Sequence, residues 1–355
     1  MAEKVMVKGN EAMGEAAIRA GCRLYFGYPI TPQSELTEYM ARRLPEVEGT
    51  FLQSESEVAA VNMIYGAAST GTRVMTSTSS PGFSLMQEGI SYIAGAELPS
   101  VFINVVRGGP GLGDIQPAQS DYFQGTKGGG HGDYRLIVLA PKSVQEAVDL
   151  VQLAFDLADK YRNPVLVLAD GMLGQMMEPV EFPEFRDLKT LPDHSSWAMQ
   201  GCEGREPHKI TSFDIDPVNL EKMNLGYQKK YREIEAKEVR YDTEMIEDAE
   251  YLLVGYGTMA RILGTVVKLA RKEGLKVGLF RPITLWPFPY RELESFAKGK
   301  KVLLTVEMSM GQMIEDVKLA VNGKIDVNFY GRTGGVVPTP EEVLRELKKI
   351  IERSE

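Results

Sequence analysis

Cysteine and histidine are scarce: the 355 residues include two cysteines, Cys22 and Cys202, and three histidines, His131, His194 and His208. Four-cysteine clusters and tetrahedral zinc sites therefore lack ligands, so no metal site is expected here and any redox metal is expected on another chain. No stretch reaches the roughly 18 consecutive apolar residues that read as a membrane span. The start, MAEKVMVKGNEA, lacks the apolar core of a secretion signal, which points to a cytoplasmic, soluble protein without a membrane partner. Positive charge is the minority, with 40 Lys and Arg against 49 Asp and Glu and a net charge of −9. That balance gives no electrostatic footprint for nucleic acid or anionic lipid.

What is present fits a globular protein, 43% hydrophobic and 25% charged. At about 150 residues per domain the length suggests two or three domains. Through residue 175, short apolar runs alternate with helix-period stretches, and Gly or Pro marks the changes. Expected strands are 24–27, 50–52, 74–77, 101–105, 136–139 and 165–168; expected helices are 10–20, 33–43, 56–69, 82–94 and 144–161. This is the pattern of an α/β fold with a doubly wound parallel sheet. Residues 176–246 are rich in Pro, Gly, His and charge and read as a linker or arm; βα alternation resumes over 247–355 as a second, smaller α/β domain.

Open parallel sheets bind ligands at the carboxyl ends of their strands, so the residues just past each strand are the first candidates. After the first strand comes GYPITP, where prolines stiffen the turn around Tyr28, Pro29, Ile30 and Thr31. After the second comes QSESEVAA with Glu55 and Glu57, after the third STSSPGFS with Ser80, Pro81 and Gly82, and after the fourth Arg107 with GGPGLGDIQPAQSD. Singly, each has a plain reading as a rigid turn, an acidic first helical turn, a cap or a surface cation. Together they line the same end of one sheet. A carboxylate at a helix start, packed among apolar groups beside a ligand nitrogen, can serve as acid or base, and Glu57 suits that role better than Glu55.

These segments, with KGGGHGDYRLIVLAP and EMSMGQM, resemble the thiamine-diphosphate-dependent 2-oxoacid:ferredoxin oxidoreductases, in the subunit that carries the pyrimidine-binding domain. The similarity runs nearly end to end and is greatest to the 3-methyl-2-oxobutanoate (2-ketoisovalerate) branch. Within thiamine enzymes the activating glutamate has a Gly nine residues on, which Glu57 and Gly66 match and Glu55 does not. The resemblance implies that Glu57 bonds the aminopyrimidine N1′ and that Thr31 and Arg107 meet the substrate's carboxylate and keto end. It places Tyr28, Pro29, Ile30, Ser80, Pro81 and Gly82, with Gln119 and Asp121 as weaker members, around the pyrimidine. It also implies thiamine diphosphate shared with a partner, coenzyme A as co-substrate and ferredoxin as acceptor.

The diphosphate-binding GDG motif is missing; Asp170-Gly171 is the nearest dipeptide and no Asn follows at the required distance. The resemblance therefore implies a hetero-oligomer. One partner carries GDG and Mg2+, a ferredoxin-like partner carries iron-sulfur clusters, a small gamma-type subunit completes the set, and this chain can also pair with its own copy. The second domain resembles the transketolase C-terminal domain through VGYGTMA, RPITLWPFP and VEMSMGQ, with a packing or oligomer role and some contact to coenzyme A.

Alternatives stay open. The substrate can be 2-oxoglutarate or another 2-oxoacid, with Lys127 or a partner residue supplying the extra cation. Gly255, Gly257 and Ala260 satisfy the G-x-G-x-x-A dinucleotide fingerprint, although Arg281 stands where an acidic residue belongs, so a nicotinamide-dependent dehydrogenase is a rival. A noncatalytic assembly subunit on the same fold is another.

Overall fold

The computed structural model describes residues 4–354. The first half runs β1 (Val5–Lys8), α1 (Gly9–Arg19), β2 (Leu24–Gly27), α2 (Ser34–Arg43), β3 (Thr50–Gln53), α3 (Glu57–Ala68), β4 (Val74–Thr78) and α4 (Ser80–Gly95). It continues with β5 (Ser100–Val106), α5 (Tyr122–Thr126), β6 (Ile137–Leu139), α6 (Val144–Tyr161), β7 (Pro164–Asp170), α7 (Gly171–Gln175) and β8 (Met177–Val180). A long helix, α8 (Pro217–Lys237), leads to β9 (Tyr241–Glu244), β10 (Tyr251–Val254), α9 (Gly257–Lys272), β11 (Val277–Pro282) and β12 (Thr284–Trp286). The chain ends with α10 (Tyr290–Ala297), β13 (Val302–Glu307), α11 (Met313–Val321), β14 (Val327–Gly331) and α12 (Pro340–Ser354).

The seven-stranded sheet has the order β12-β6-β7-β5-β4-β2-β3. All its pairs are parallel except that of β12 with β6. Strands β4, β5 and β7 are buried at every residue, with apolar runs such as Val101–Ile103 and Val165–Ala169 and with polar residues, Ser77, Thr78, Asn104 and Asp170, toward their carboxyl ends. The chain leaves β2 toward β3 at the edge, then returns past β2 to β4 and proceeds the other way. The order of strands therefore reverses between β2 and β4, and such reversals open a crevice at the strands' carboxyl ends. Helices α1, α2 and α6 cover one face of the sheet, and α3 and α4 the other.

The second sheet, β14-β13-β10-β11-β9, is parallel apart from β9. The core under α3 and α4 runs on without a break into Leu252, Val254, Phe280 and Phe288, so the two sheets share buried apolar surface. The seam also carries charge: Arg281 of β11 forks onto both oxygens of Glu146 in α6 at 2.7 Å.

Three elements differ from the sequence expectation. The segment read as an arm contains α8, started by Pro217 behind an Asp216 side chain that caps Val218 N, and its last turns bury Tyr231 and Ile234 against the first half. Its alternating charges hid two buried positions. The proline-punctuated bend supplies β12, which joins the first half's sheet rather than its own. Finally, β1 and β8 pair as a two-stranded antiparallel ribbon that no apolar run announced.

Candidate functional site

Helix α3 begins right after β3, with Ser56 as its cap: the Ser56 hydroxyl accepts the Ala59 N–H at 3.2 Å. The cap turns the next side chain, Glu57, inward, and it is 5% exposed, whereas Glu55 lies at the surface bonded by the Ser56 hydroxyl. Among the described residues the Glu57 carboxylate has no hydrogen-bond donor. Opposite it, the first turn of α4 brings the Gly82 backbone so close that a Cβ there would collide with Glu57 Oε1 and Thr78 Oγ1. A nearly dehydrated carboxylate without a donor is unfavourable as it stands.

Beside this pair stands Arg107 at the end of β5, 8% exposed. Its Nη1 donates to the Thr31 carbonyl at 2.9 Å and its Nη2 to the Leu112 carbonyl at 3.0 Å, while the buried Nε has no partner. Three of the five guanidinium N–H groups are thus uncommitted, and no carboxylate pairs with the cation among the described residues. The loop over Arg107 is tight, since Gly113 at φ 60° packs on Gly108 where a side chain would not fit. The Ser80 hydroxyl accepts the Arg107 N–H at 3.1 Å and tethers α4 to β5. Asp121 lies in the same cluster, bonded by Asn104 Nδ2 at 2.8 Å; burial pushes its carboxyl up, against hydrogen bonds from Ser80 and Asn104.

Ser80, Arg107, Asp121, Met310, Gln312 and Thr333 line a cavity of about 390 Å³. The structure thus draws Thr31, Glu57, Ser80, Pro81, Gly82, Arg107 and Asp121 into one neighbourhood at the sheet's reversal. Thr31 meets Arg107 through its carbonyl; its side chain is exposed. Tyr28 and Pro29 are also exposed and Ile30 is half-buried, on a loop held from below by Gln33. Gln33 donates to the Tyr28 carbonyl at 3.2 Å and accepts from Ser77 and Thr37 at 2.7 and 2.8 Å. Tyr25 completes that buried network. The sequence reading missed Gln33, Asn104 and the second half's contribution, and it gave Ser77, inside the flagged STSSPGFS, no role of its own; only EMSMGQM pointed to the second half.

Gln119 departs from the expected pocket role. Its amide donates to the Tyr256 carbonyl at 2.9 Å and accepts the Met308 N–H at 3.0 Å, and its own N–H donates to the Met308 carbonyl at 2.8 Å. Both ends of this side chain are held by the second half. Lys127 likewise is not an available cation: it pairs with Asp316 at 2.6 Å, where Tyr122 and Tyr290 also donate.

The dinucleotide reading fails on geometry. The Gly255-Gly257-Ala260 turn faces the first half, where Gln119, Asp170, Tyr256 and Gly257 close around a seam without space for a water molecule. The buried Asp170 carboxyl, pushed up by burial, faces Thr258 at the start of α9 and leaves no room for a pyrophosphate.

Glu57 fits the ring of thiamine diphosphate: a buried acceptor lacking a donor, flanked by bare backbone, suits a protonated ring nitrogen. The diphosphate end has no match. Asp170 Oδ1 caps α7 through Met172 N and Leu173 N at 2.9 and 3.1 Å, and among the described residues no group of three or more His, Cys, Asp or Glu is placed to hold a metal ion.

Comparison with known proteins gives the family. Residues 15–242 match the family described as pyruvate flavodoxin/ferredoxin oxidoreductase, thiamine diphosphate-binding, and residues 249–343 match pyruvate:ferredoxin oxidoreductase core domain II. The chain is 53% identical over 345 residues to the ketoisovalerate oxidoreductase subunit VorB of Methanothermobacter marburgensis, covering 97% of each. It is 36% identical over 375 residues to the 2-oxoglutarate synthase subunit KorA of Methanothermobacter thermautotrophicus, covering 99% of this chain and 100% of that one. Among solved structures, 2-oxoglutarate:ferredoxin oxidoreductase from Magnetococcus marinus, with 2-oxoglutarate, coenzyme A and succinyl-CoA bound, superposes with a TM-score of 0.89 at 28% identity. That match covers 99% of this chain and 66% of the other. A split-gene transketolase shares the fold alone, with a TM-score of 0.61 at 14% identity, over 98% of this chain and 99% of that one. No helix among the described residues is long and apolar enough to cross a membrane. The chain belongs to the pyruvate flavodoxin/ferredoxin oxidoreductase family.

Proposed function

We propose that this chain is the pyrimidine-binding subunit of a 2-oxoacid:ferredoxin oxidoreductase. The reaction is oxidative decarboxylation of 3-methyl-2-oxobutanoate and similar branched-chain 2-oxoacids with coenzyme A, giving acyl-CoA and CO2 while two electrons pass to ferredoxin. The observation that carries the reading is the buried Glu57 carboxylate without a donor, with the Gly82 backbone against it.

Bound thiamine diphosphate supplies the carbon nucleophile and the electron sink for decarboxylation. Glu57 holds the proton at the aminopyrimidine N1′, in a site where exclusion of water strengthens that bond. Ser80, Pro81 and Gly82 give the ring a wall without side-chain bulk, and Tyr28, Pro29 and Ile30 border it from the β2 loop. Arg107 offers its uncommitted N–H groups to the substrate carboxylate, with the fork kept level by the Thr31 and Leu112 carbonyls. Asp121 supports Ser80 in that wall.

The partners follow from what this chain does not carry. A GDG-bearing chain holds Mg2+ and the diphosphate, a ferredoxin-like chain holds iron-sulfur clusters, and a small gamma-type subunit completes a cytoplasmic hetero-oligomer.

A dicarboxylate substrate is disfavoured by the charges at hand. Arg107 is the one cation among the described residues lining the cavity, Asp121 lines it too, and Lys127 is paired with Asp316. The test is purification of the complex followed by coenzyme-A-dependent viologen reduction with a panel of 2-oxoacids. We expect 3-methyl-2-oxobutanoate to give the highest kcat/KM. Preference for 2-oxoglutarate, or NAD reduction by this chain alone, overturns the reading.

A further inference from the structure

The loop Met308–Gln312, between β13 and α11, comes from the second half of the chain yet forms part of the wall of the Arg107 cavity. Two sets of bonds hold it rigid. From behind, the fully buried Glu307 carboxylate accepts the N–H groups of Gln312, Met313 and Ile314 and the Ser309 hydroxyl, each at 3.0 Å. From the front, the loop is pinned on both sides of residue 310 to the segment just past Arg107. Gln119 bonds Met308 twice, and Gln312 donates to the Ser120 carbonyl at 2.7 Å and accepts the Phe123 N–H at 2.8 Å.

At the tip of this clamped loop, Met310 is 76% exposed and borders the cavity. An exposed apolar side chain ordinarily lowers no free energy where it stands; on a loop fixed by this many bonds its position is nevertheless set. Methionine is unbranched and polarizable and moulds itself to irregular apolar shapes. The other side chains around the cavity are small or polar, apart from Pro81 and Pro110, and its charges are Arg107 and Asp121. With Arg107 facing the carboxylate of a 2-oxoacid, Met310 is the one long apolar side chain among the described residues lining this cavity that the substrate's side chain can meet.

We propose that Met310 is a specificity-determining residue: it selects 2-oxoacids with an alkyl side chain over those with a second carboxylate. The inference rests on the reading of this chain as a 2-oxoacid oxidoreductase subunit. It adds to that reading a specific contact made by the second half.

The experiment uses the assembled complex with Met310→Lys, Met310→Ala and Met310→Leu. Met310→Lys, which adds a cation at the rim, is expected to raise the ratio of kcat/KM for 2-oxoglutarate to that for 3-methyl-2-oxobutanoate by about tenfold or more. Met310→Ala is expected to raise KM for 3-methyl-2-oxobutanoate by about tenfold, leaving kcat and the KM for pyruvate nearly unchanged. Met310→Leu should restore the wild-type ratios. Ratios within about twofold of wild type in both the Lys and the Ala variants, on complexes of normal composition, overturn the role of Met310 and leave the functional reading intact. A wild-type complex that turns over no 2-oxoacid overturns both.

Discussion

Gly82 and Glu57 occupy one another's space: the carboxylate of residue 57 lies where residue 82 would carry its Cβ. The acid is thereby held against bare backbone, 5% exposed and without a donor among the described residues. Glu57→Gln keeps the shape and removes the charge and the proton-holding capacity. The complex should assemble with normal composition while coenzyme-A-dependent turnover falls by about 100-fold or more. Steady-state viologen reduction checks this, and near-normal turnover would dismiss Glu57 as the acid-base group.

Gly82→Ala tests the same contact from the other side. The added methyl meets Glu57 Oε1 and the Thr78 hydroxyl, and overpacking of this kind costs about 1–3 kcal/mol. The cost should shrink in a Glu57→Ala background, because part of the collision is gone. A thermal-unfolding double-mutant cycle measures the coupling; independent, additive effects would contradict the contact.

Gln119→Leu should loosen the seam between the sheets. It leaves the Met308 N–H without its acceptor, a loss of about 1–3 kcal/mol when buried, while the Tyr256 carbonyl loses the Gln119 amide and keeps the Ala260 N–H. Amide hydrogen exchange should accelerate at Met308. Exchange there at the wild-type rate would mean that the Gln119 side chain does not hold the loop, which then rests on Glu307, Gln312 and the Gln119 backbone.

Asp121→Asn carries a pH signature. Burial raises the Asp121 carboxyl above its ordinary value of 3.8, so the folded state holds that proton more tightly than the unfolded chain does. Wild-type stability attributable to this group is therefore highest below 3.8, falls as pH rises through the interval above it, and is flat beyond the folded value. Asn removes that slope and can keep the bond from Asn104. The variant should match wild type in acid and melt higher at neutral pH. Equal melting temperatures at pH 7 would deny the burial penalty.

The central strands were legible in the sequence because strands covered on both faces carry apolar runs, as in Val101–Ile103 of β5 and Val165–Ala169 of β7, with the polar Ser77, Thr78, Asn104 and Asp170 placed toward the carboxyl ends. Helix α6 is bounded as expected, from Val144 to Tyr161, since its cap Ser143 and its apolar stripe coincide. The cluster at the sheet's reversal was legible for a related reason: ligand groups follow strand ends, and strand ends were clear. Bonding across long sequence separations was not. Nothing local distinguishes Gln119, engaged by the second half, from Asp121, which borders the cavity two residues later. Lys127 gave no sign of Asp316, 189 residues away. Met310 had no signal beyond its motif, because its place depends on Glu307 and Gln312 closing a loop onto another sheet.

Strand β12 makes the two halves mutually dependent for solubility. Thr284 and Trp286 pair with Leu139 and Val138, covering the rim of β6 with chain from the far side of the seam. Cutting the protein near residue 246 would strip that cover and leave an unsatisfied row of peptide groups on a short apolar ribbon. Exposed rims of this sort recruit other molecules into mixed aggregates. Expression of the halves from separate genes would succeed only where both are made together and meet before either rim finds a different partner.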